Sequence, residues 1–104
     1  MRPLGLGRVL VHGRSMEPTL LDGDHLLVRW GGKVRPGLLV VVQWTGEEEF
    51  SVKRAAFLDH EGWWVERDNL REGTDSWSAG ALASDQVLGV VLLRLWPLRR
   101  RRAT

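Results

Sequence analysis

The chain has 104 residues, of which 43% are hydrophobic and 27% charged, the balance of a folded domain rather than a disordered segment. That length holds one domain with one modest core, so a two-domain enzyme built around a large cofactor is excluded; there is no cysteine, which removes disulfides, thiol nucleophiles and zinc–thiolate centres from consideration. The net charge of +2 comes from Arg99, Arg100, Arg101 and Arg102, without which the balance falls to −2, so no basic face for nucleic acid is expected over the body of the domain.

In chain order, the short apolar runs read as strands over Arg8–His12, His25–Trp30, Leu38–Trp44, Phe50–Phe57, Gly62–Glu66 and Val87–Leu95. Turn signals separate them: Leu21-Asp22-Gly23-Asp24, Gly31-Gly32, Arg35-Pro36-Gly37, Thr45-Gly46, Asp59-His60-Glu61-Gly62 and Asp68-Asn69. Short helical turns are expected at Glu17–Leu21 and Ser84–Gln86, and no window of helical length shows a 3.6-residue period. This pattern predicts an all-β fold, a small coiled-sheet or barrel-like domain over residues 1–98. Residues 99–104 form a basic tail, either solvated or in contact with anionic lipid. Glu47-Glu48-Glu49 reads as a solvated hairpin tip. The longest apolar stretch, Val87 to Leu98, is broken by Arg94 and stops at Pro97, well short of the roughly 20 residues a spanning helix needs. The N-terminus lacks the features of a signal peptide. A cytoplasmic protein is expected, with peripheral membrane contact confined to the tail.

Two segments carry candidate chemistry. Ser15 follows Gly13-Arg14 on a turn ended by Pro18, directly after the apolar run Val9-Leu10-Val11. A hydroxyl on a turn at a strand end is well placed to be a nucleophile, because backbone N–H groups there are free to hold an oxyanion. A base must accompany it. Of fifteen basic residues only Lys33 and Lys53 are lysines, and arginine stays protonated at any useful pH. Lys33 lies beside Gly31-Gly32 in an exposed turn. Lys53 lies within a strand, sharing one face with Ser51, Ala55 and Phe57 by period-2 alternation. If that face is buried, desolvation lowers the lysine pKa; a catalytic lysine needs a drop of roughly 3 units from its ordinary value of about 10.4. Spacing alone leaves both the inward and the outward orientation open. The polar loop Asp68–Ser76 follows the strand holding Trp63 and Trp64, and its Asp75 is suited to pair with a nearby arginine.

Taken together, Ser15-Met16-Glu17-Pro18-Thr19-Leu20, Asp22-Gly23-Asp24, Val52-Lys53-Arg54, and Asp68-Asn69 with Asp75-Ser76 resemble signal peptidase I and its relatives in order and rough spacing. That serine/lysine peptidase clan also includes LexA-type self-cleaving repressors. The resemblance extends from about Gly13 to Leu95. It implies a peptidase without cofactor or metal, with Ser15 as nucleophile and Lys53 as general base. Gly13, Arg14, Asp68, Asn69, Thr74, Asp75 and Ser76 would support the oxyanion site and its surroundings. It also implies a precursor protein as substrate, bound as an added strand near Gly13–Ser15 or Phe50–Lys53. Met16, Leu20 and Ala55 would line small pockets for it. Within the clan, the compact form, the run Gly62-Trp63-Trp64-Val65-Glu66 and the ending Val87–Pro97 look like the maturation proteases of nickel-type superoxide dismutase, which remove a leader so that the new N-terminus completes a nickel-binding hook. Three departures stand out. Gly13 occupies the place of a hydroxyl two residues before the nucleophile in some branches. Gly73, with Thr74 adjacent, occupies the place of a hydroxyl that positions the lysine. The segment after Lys53-Arg54 lacks the usual Gly-x-Pro-Gly-Asp.

Four other readings compete. Signal peptidase I-like processing of other precursors uses the same site. A Ser-His-Asp hydrolase would draw on His12, His25 or His60. A self-cleaving repressor would cut at Ala79-Gly80. A non-catalytic β-barrel binding module would use the six tryptophans and the basic tail to stack bases and hold phosphates.

Overall fold

The computed structural model describes residues 5–97; the terminal arginine run lies outside them. Six strands, β1 (Gly5–Leu10), β2 (His25–Trp30), β3 (Leu39–Val42), β4 (Ser51–Asp59), β5 (Gly62–Glu66) and β6 (Val87–Trp96), form a single sheet. Its order is β1-β2-β6-β3-β4-β5, with every pairing antiparallel. The fold is all-β, as expected. A four-residue helix, α1 (Ser76–Ala79), and a 3₁₀ turn over Ser84–Gln86 interrupt it.

The strand centres follow the alternation in the sequence, and the ends shift for local reasons. β1 stops at Leu10 because Val11 leaves the ladder to bond the Asp22–Asp24 turn: its N–H donates to Asp24 O and its carbonyl accepts from Gly23 N–H, both at 2.8 Å. Gly23 takes φ +90° there, a conformation that only glycine adopts without strain. The expected helical turn at Glu17–Leu21 is a turn whose Leu20 N–H reaches Met16 O at 2.9 Å, with no helix continuing from it. The 3₁₀ turn at Ser84–Gln86 lies where the sequence placed a helical turn. Helix α1 went unread because four residues leave no periodicity to detect; Asp75 starts it by accepting from Trp77 N–H at 3.1 Å.

The coiled sheet buries both of its faces. On one, Val9, Val11, Met16, Leu20, Leu26, Val28, Val41 and Val52 pack together. On the other, Val40, Val42, Ala55, Trp63, Val65, Leu82, Val87 and Val90 do. β3 serves both clusters, which is why its sequence is an unbroken apolar run. The segment from Arg67 to Ala81 leaves β5 and is tied back by a two-way bridge between Trp63 and Leu82, N–H to O, at 2.8 Å each way. No helix among the described residues is long and apolar enough to cross a membrane.

Candidate active site

Ser15 sits on a turn gripped from three directions. Beneath it, Met16 and Leu20 are buried in the first core cluster. Before it, Asp22 accepts the Gly13 N–H at 2.7 Å, and Gly13 takes φ +83°. Beside it, the 68–69 segment clamps the turn: Asn69 donates its N–H to Ser15 O at 2.8 Å and its side-chain amide to Arg14 O at 2.9 Å. Asp68 accepts from the Thr19 hydroxyl and, twice, from Arg54 on β4, at 3.0 and 2.7 Å. The Arg54 fork pulls Asp68 below the usual carboxylate range, aided by Thr19. Four sequence boxes far apart in the chain thus meet in one hydrogen-bonded frame.

Lys53 faces inward. It pairs with Val40 across the β3–β4 ladder, is only 3% exposed, and its Nζ donates to Ser15 Oγ at 2.9 Å. Burial lowers its pKa from 10.5 to about 8; nearby Asp75 acts against that shift and Arg67 adds to it. Phe57 does not share in this desolvation, contrary to the alternation reading. A β-bulge between Ala55 and Phe57 breaks the period, and Phe57 stacks outside on Trp64 with ring centroids 5.7 Å apart. Trp77 completes that outer cluster.

The loop covers the pair with backbone. Gly73 lies at φ +91°, and a Cβ on it would stand 2.4 Å from Ser15 Cβ and 3.5 Å from Lys53 Nζ. Only glycine lets the main chain approach this closely. Its carbonyl accepts from Arg67 Nη1 at 2.7 Å, and Arg67 Nε meets Asp75 Oδ2 at 3.3 Å. The Asp75 expectation of an arginine partner is therefore met by Arg67, which sequence reading did not single out. The available signal was its place at the end of β5, directly before Asp68-Asn69.

A cleft of about 530 Å³ opens over Ser15 and Lys53. Gly13, Arg14, Thr74 and the small residues Ser51, Ala79 and Ala81 contribute to its lining, together with Trp44 and Leu82. Gly13 has spent its N–H on Asp22, whereas the Ser15 N–H has no acceptor among the described residues. Arg14 pairs with Glu17 at 3.1 Å. Thr74 lies in the lining, but none of the hydrogen bonds among the described residues joins it to Lys53. Ser76 is buried and turned away, accepting Val65 N–H at 2.9 Å and so fastening α1 to β5. Met16, Leu20 and Ala55 were expected in substrate pockets; all three belong to the core clusters, and none lines the cleft. They are small or flexible apolar residues near the site, and the core claims them first.

Histidine takes no part in the pair. His12 lines the cleft, His25 lies 3.4 Å from Arg8, and the hydrogen-bond partner of the Ser15 hydroxyl is Lys53. Ala79 reaches the cleft, but its N–H is bonded to Asp75 O at 3.0 Å and the Gly80 N–H to Ser76 O at 2.8 Å, so the Ala79-Gly80 bond is tied into the C-terminal end of α1. Of the tryptophans, Trp63 is core, Trp44 lines the cleft, and Trp30 meets Phe50 edge-on. Among the described residues no three His, Cys, Asp or Glu side chains converge as metal ligands would.

A buried amine titrating near neutrality, in hydrogen-bond contact with a hydroxyl, can take the proton of that hydroxyl as it attacks a carbonyl. In the comparison with known families, a model described as Peptidase S24-like matches residues 4–91. No curated protein matches the chain at a significant level.

Proposed function

We propose, for a chain that belongs to the Peptidase S24-like family and is therefore a serine peptidase of the LexA and signal peptidase type, that Ser15 is the nucleophile and Lys53 the general base. The observation that carries this reading is the 2.9 Å contact between Lys53 Nζ and Ser15 Oγ at a lysine almost wholly withdrawn from water. Neutral Lys53 accepts the Ser15 proton as Oγ attacks the scissile carbonyl of an extended segment lying in the cleft. The Ser15 N–H stabilises the resulting oxyanion; one such donor contributes about 3–4 kcal/mol to the transition state. Lys53, now protonated, gives its proton to the leaving amine. Water then releases the acyl group from Ser15, with Lys53 again acting as base.

The physiological reaction we infer is removal of an N-terminal leader from a precursor protein, with nickel-type superoxide dismutase as the substrate. That finer assignment is supported by the sequence resemblance in the Gly62–Glu66 and Val87–Pro97 segments. The test is incubation of purified protein with a dismutase precursor and unrelated precursors, reading new N-termini by mass spectrometry. Cleavage is expected with the wild type and lost in Ser15→Ala and in Lys53→Arg, which keeps charge and length but cannot serve as a base. With wild type, kcat/KM should rise about tenfold per pH unit below the Lys53 midpoint near 8 and level off above it. Full activity in Lys53→Arg overturns the dyad; cleavage of other precursors alone leaves the dyad and rejects the dismutase assignment.

A further inference from the structure

Two residues beyond the dyad decide how it is held. Gly73 supplies no side chain beside Ser15 and Lys53, and none fits: any Cβ would collide with Ser15 Cβ at 2.4 Å. What touches the dyad from this side is Gly73 main chain, and main chain has to be held by something else. The structure gives that task to Arg67. Its guanidinium spans the loop from one side, with Nη1 on the Gly73 carbonyl at 2.7 Å and Nε against Asp75 Oδ2 at 3.3 Å. Nε is fully covered and has no well-aligned hydrogen bond, so its contact with Asp75 is an ion pair. Asp75 is itself buried and anchored as the cap of α1. Arg67 thus clips positions 73 and 75 together and pins both to the end of β5.

We propose that Arg67 is a positioning residue that holds the Gly73 main chain against Ser15 and Lys53. The inference rests on the serine/lysine reading above and deepens it. Nη1 and Nε sit at fixed positions on one planar guanidinium, so both contacts are held at once, a spacing that a lysine ammonium on its flexible stem does not reproduce. The cation also bears on the lysine. Asp75 and Arg67 are the charged groups that act on Lys53, in opposite senses; His12, Arg14, Glu47 and Glu72 also line the cleft. Removing the Arg67 charge leaves Asp75 unopposed and raises the Lys53 midpoint.

The chain has only two lysines, so isotope-labelled lysine gives two side-chain NMR signals, and Lys53→Arg identifies which belongs to Lys53. The titration and the peptide kinetics are to be measured in wild type, Arg67→Met and Arg67→Lys, each checked for folding by circular dichroism; Arg67→Lys adds a third lysine signal, so Lys53 is assigned there by comparison with the double variant Arg67→Lys, Lys53→Arg. In Arg67→Met the Lys53 midpoint is expected to move upward, the acid limb of kcat/KM to move with it, and kcat to fall at least tenfold while KM stays within about twofold. In Arg67→Lys, with charge kept and fork lost, the midpoint is expected to stay near that of wild type while kcat still falls at least tenfold. A folded Arg67→Met with wild-type kcat, or with an unmoved Lys53 midpoint and an unmoved pH profile, overturns the proposal. Should Arg67→Met not fold, wild-type kcat in Arg67→Lys overturns it instead. A wild type that cleaves nothing, but whose Lys53 midpoint responds to Arg67→Met, rejects the peptidase reading and supports the Arg67 coupling to Lys53.

Discussion

Burying Lys53 works against folding, and the sign can be followed through pH. Its folded midpoint of about 8 lies below the 10.5 of an exposed lysine, so the unfolded chain binds the proton more tightly. The penalty applies in full below about pH 8 and fades as pH rises toward 10.5, so this group makes stability increase with pH across that window. The shift corresponds to about 3 kcal/mol. Lys53→Met is therefore expected to stabilise the fold by up to about that amount at pH 7, with the gain shrinking as pH approaches 10.5. Urea denaturation at several pH values checks this; equal or lower stability of Lys53→Met at pH 7 would contradict it. The same variant should be inactive, so site and fold make opposite demands at this position.

At the scale of elements, the turn, β4 and the loop after β5 are joined through Asp68, whose carboxylate takes Arg54 and Thr19 together. Its folded pKa is held down chiefly by the Arg54 hydrogen bonds. Its contribution is present above the ordinary aspartate range and is lost as pH falls through the lowered value. Asp68→Asn is expected to cost about 1–2 kcal/mol at pH 7, discounted for the partly exposed Arg54, with the difference closing in acid; denaturation at pH 7 and pH 3 measures both. Much of this frame was legible in the sequence. The strand centres, the Ser15 turn and the turn at Asp68-Asn69 showed themselves through alternation and turn chemistry, which are local properties; the place of Asp68-Asn69 beside Ser15 came only with the family resemblance. The bulge after Ala55 was not legible, since nothing in Ala55-Ala56-Phe57 marks an extra residue, and it sent Phe57 to the outside. The cleft lining was equally hidden. Whether a Met16 or an Ala79 ends in the core or in a groove depends on how distant segments cross, so Met16, Leu20 and Ala55, expected at the site, turned out to be core, while Ala79 and Ala81 line the cleft.

For the whole molecule, stability rests on one sheet covered on both sides, with β6 between β2 and β3 at its centre. Gly89 in β6 lies tight against the neighbouring strand β2: a Cβ there would meet Val28 Cγ1 at 2.7 Å and Arg29 O at 2.9 Å. Gly89→Ala should therefore lower stability by about 1–3 kcal/mol through overpacking, with little effect on the folded enzyme's Lys53 midpoint; a melting temperature equal to wild type would show the sheet to be looser than described. The segment over Ser15 and Lys53 is secured differently. It leaves from β5, is stitched midway by Ser76 to Val65, and returns at the Trp63–Leu82 bridge, while Leu70 near its apex is 76% exposed. Both feet of this arch are planted in the sheet, and Leu70 at its crown faces outward. Extra chain spliced in at the crown leaves the footings unmoved, so a descendant of this protein can grow a new lobe beside the cleft and change what enters it without redrawing a single strand.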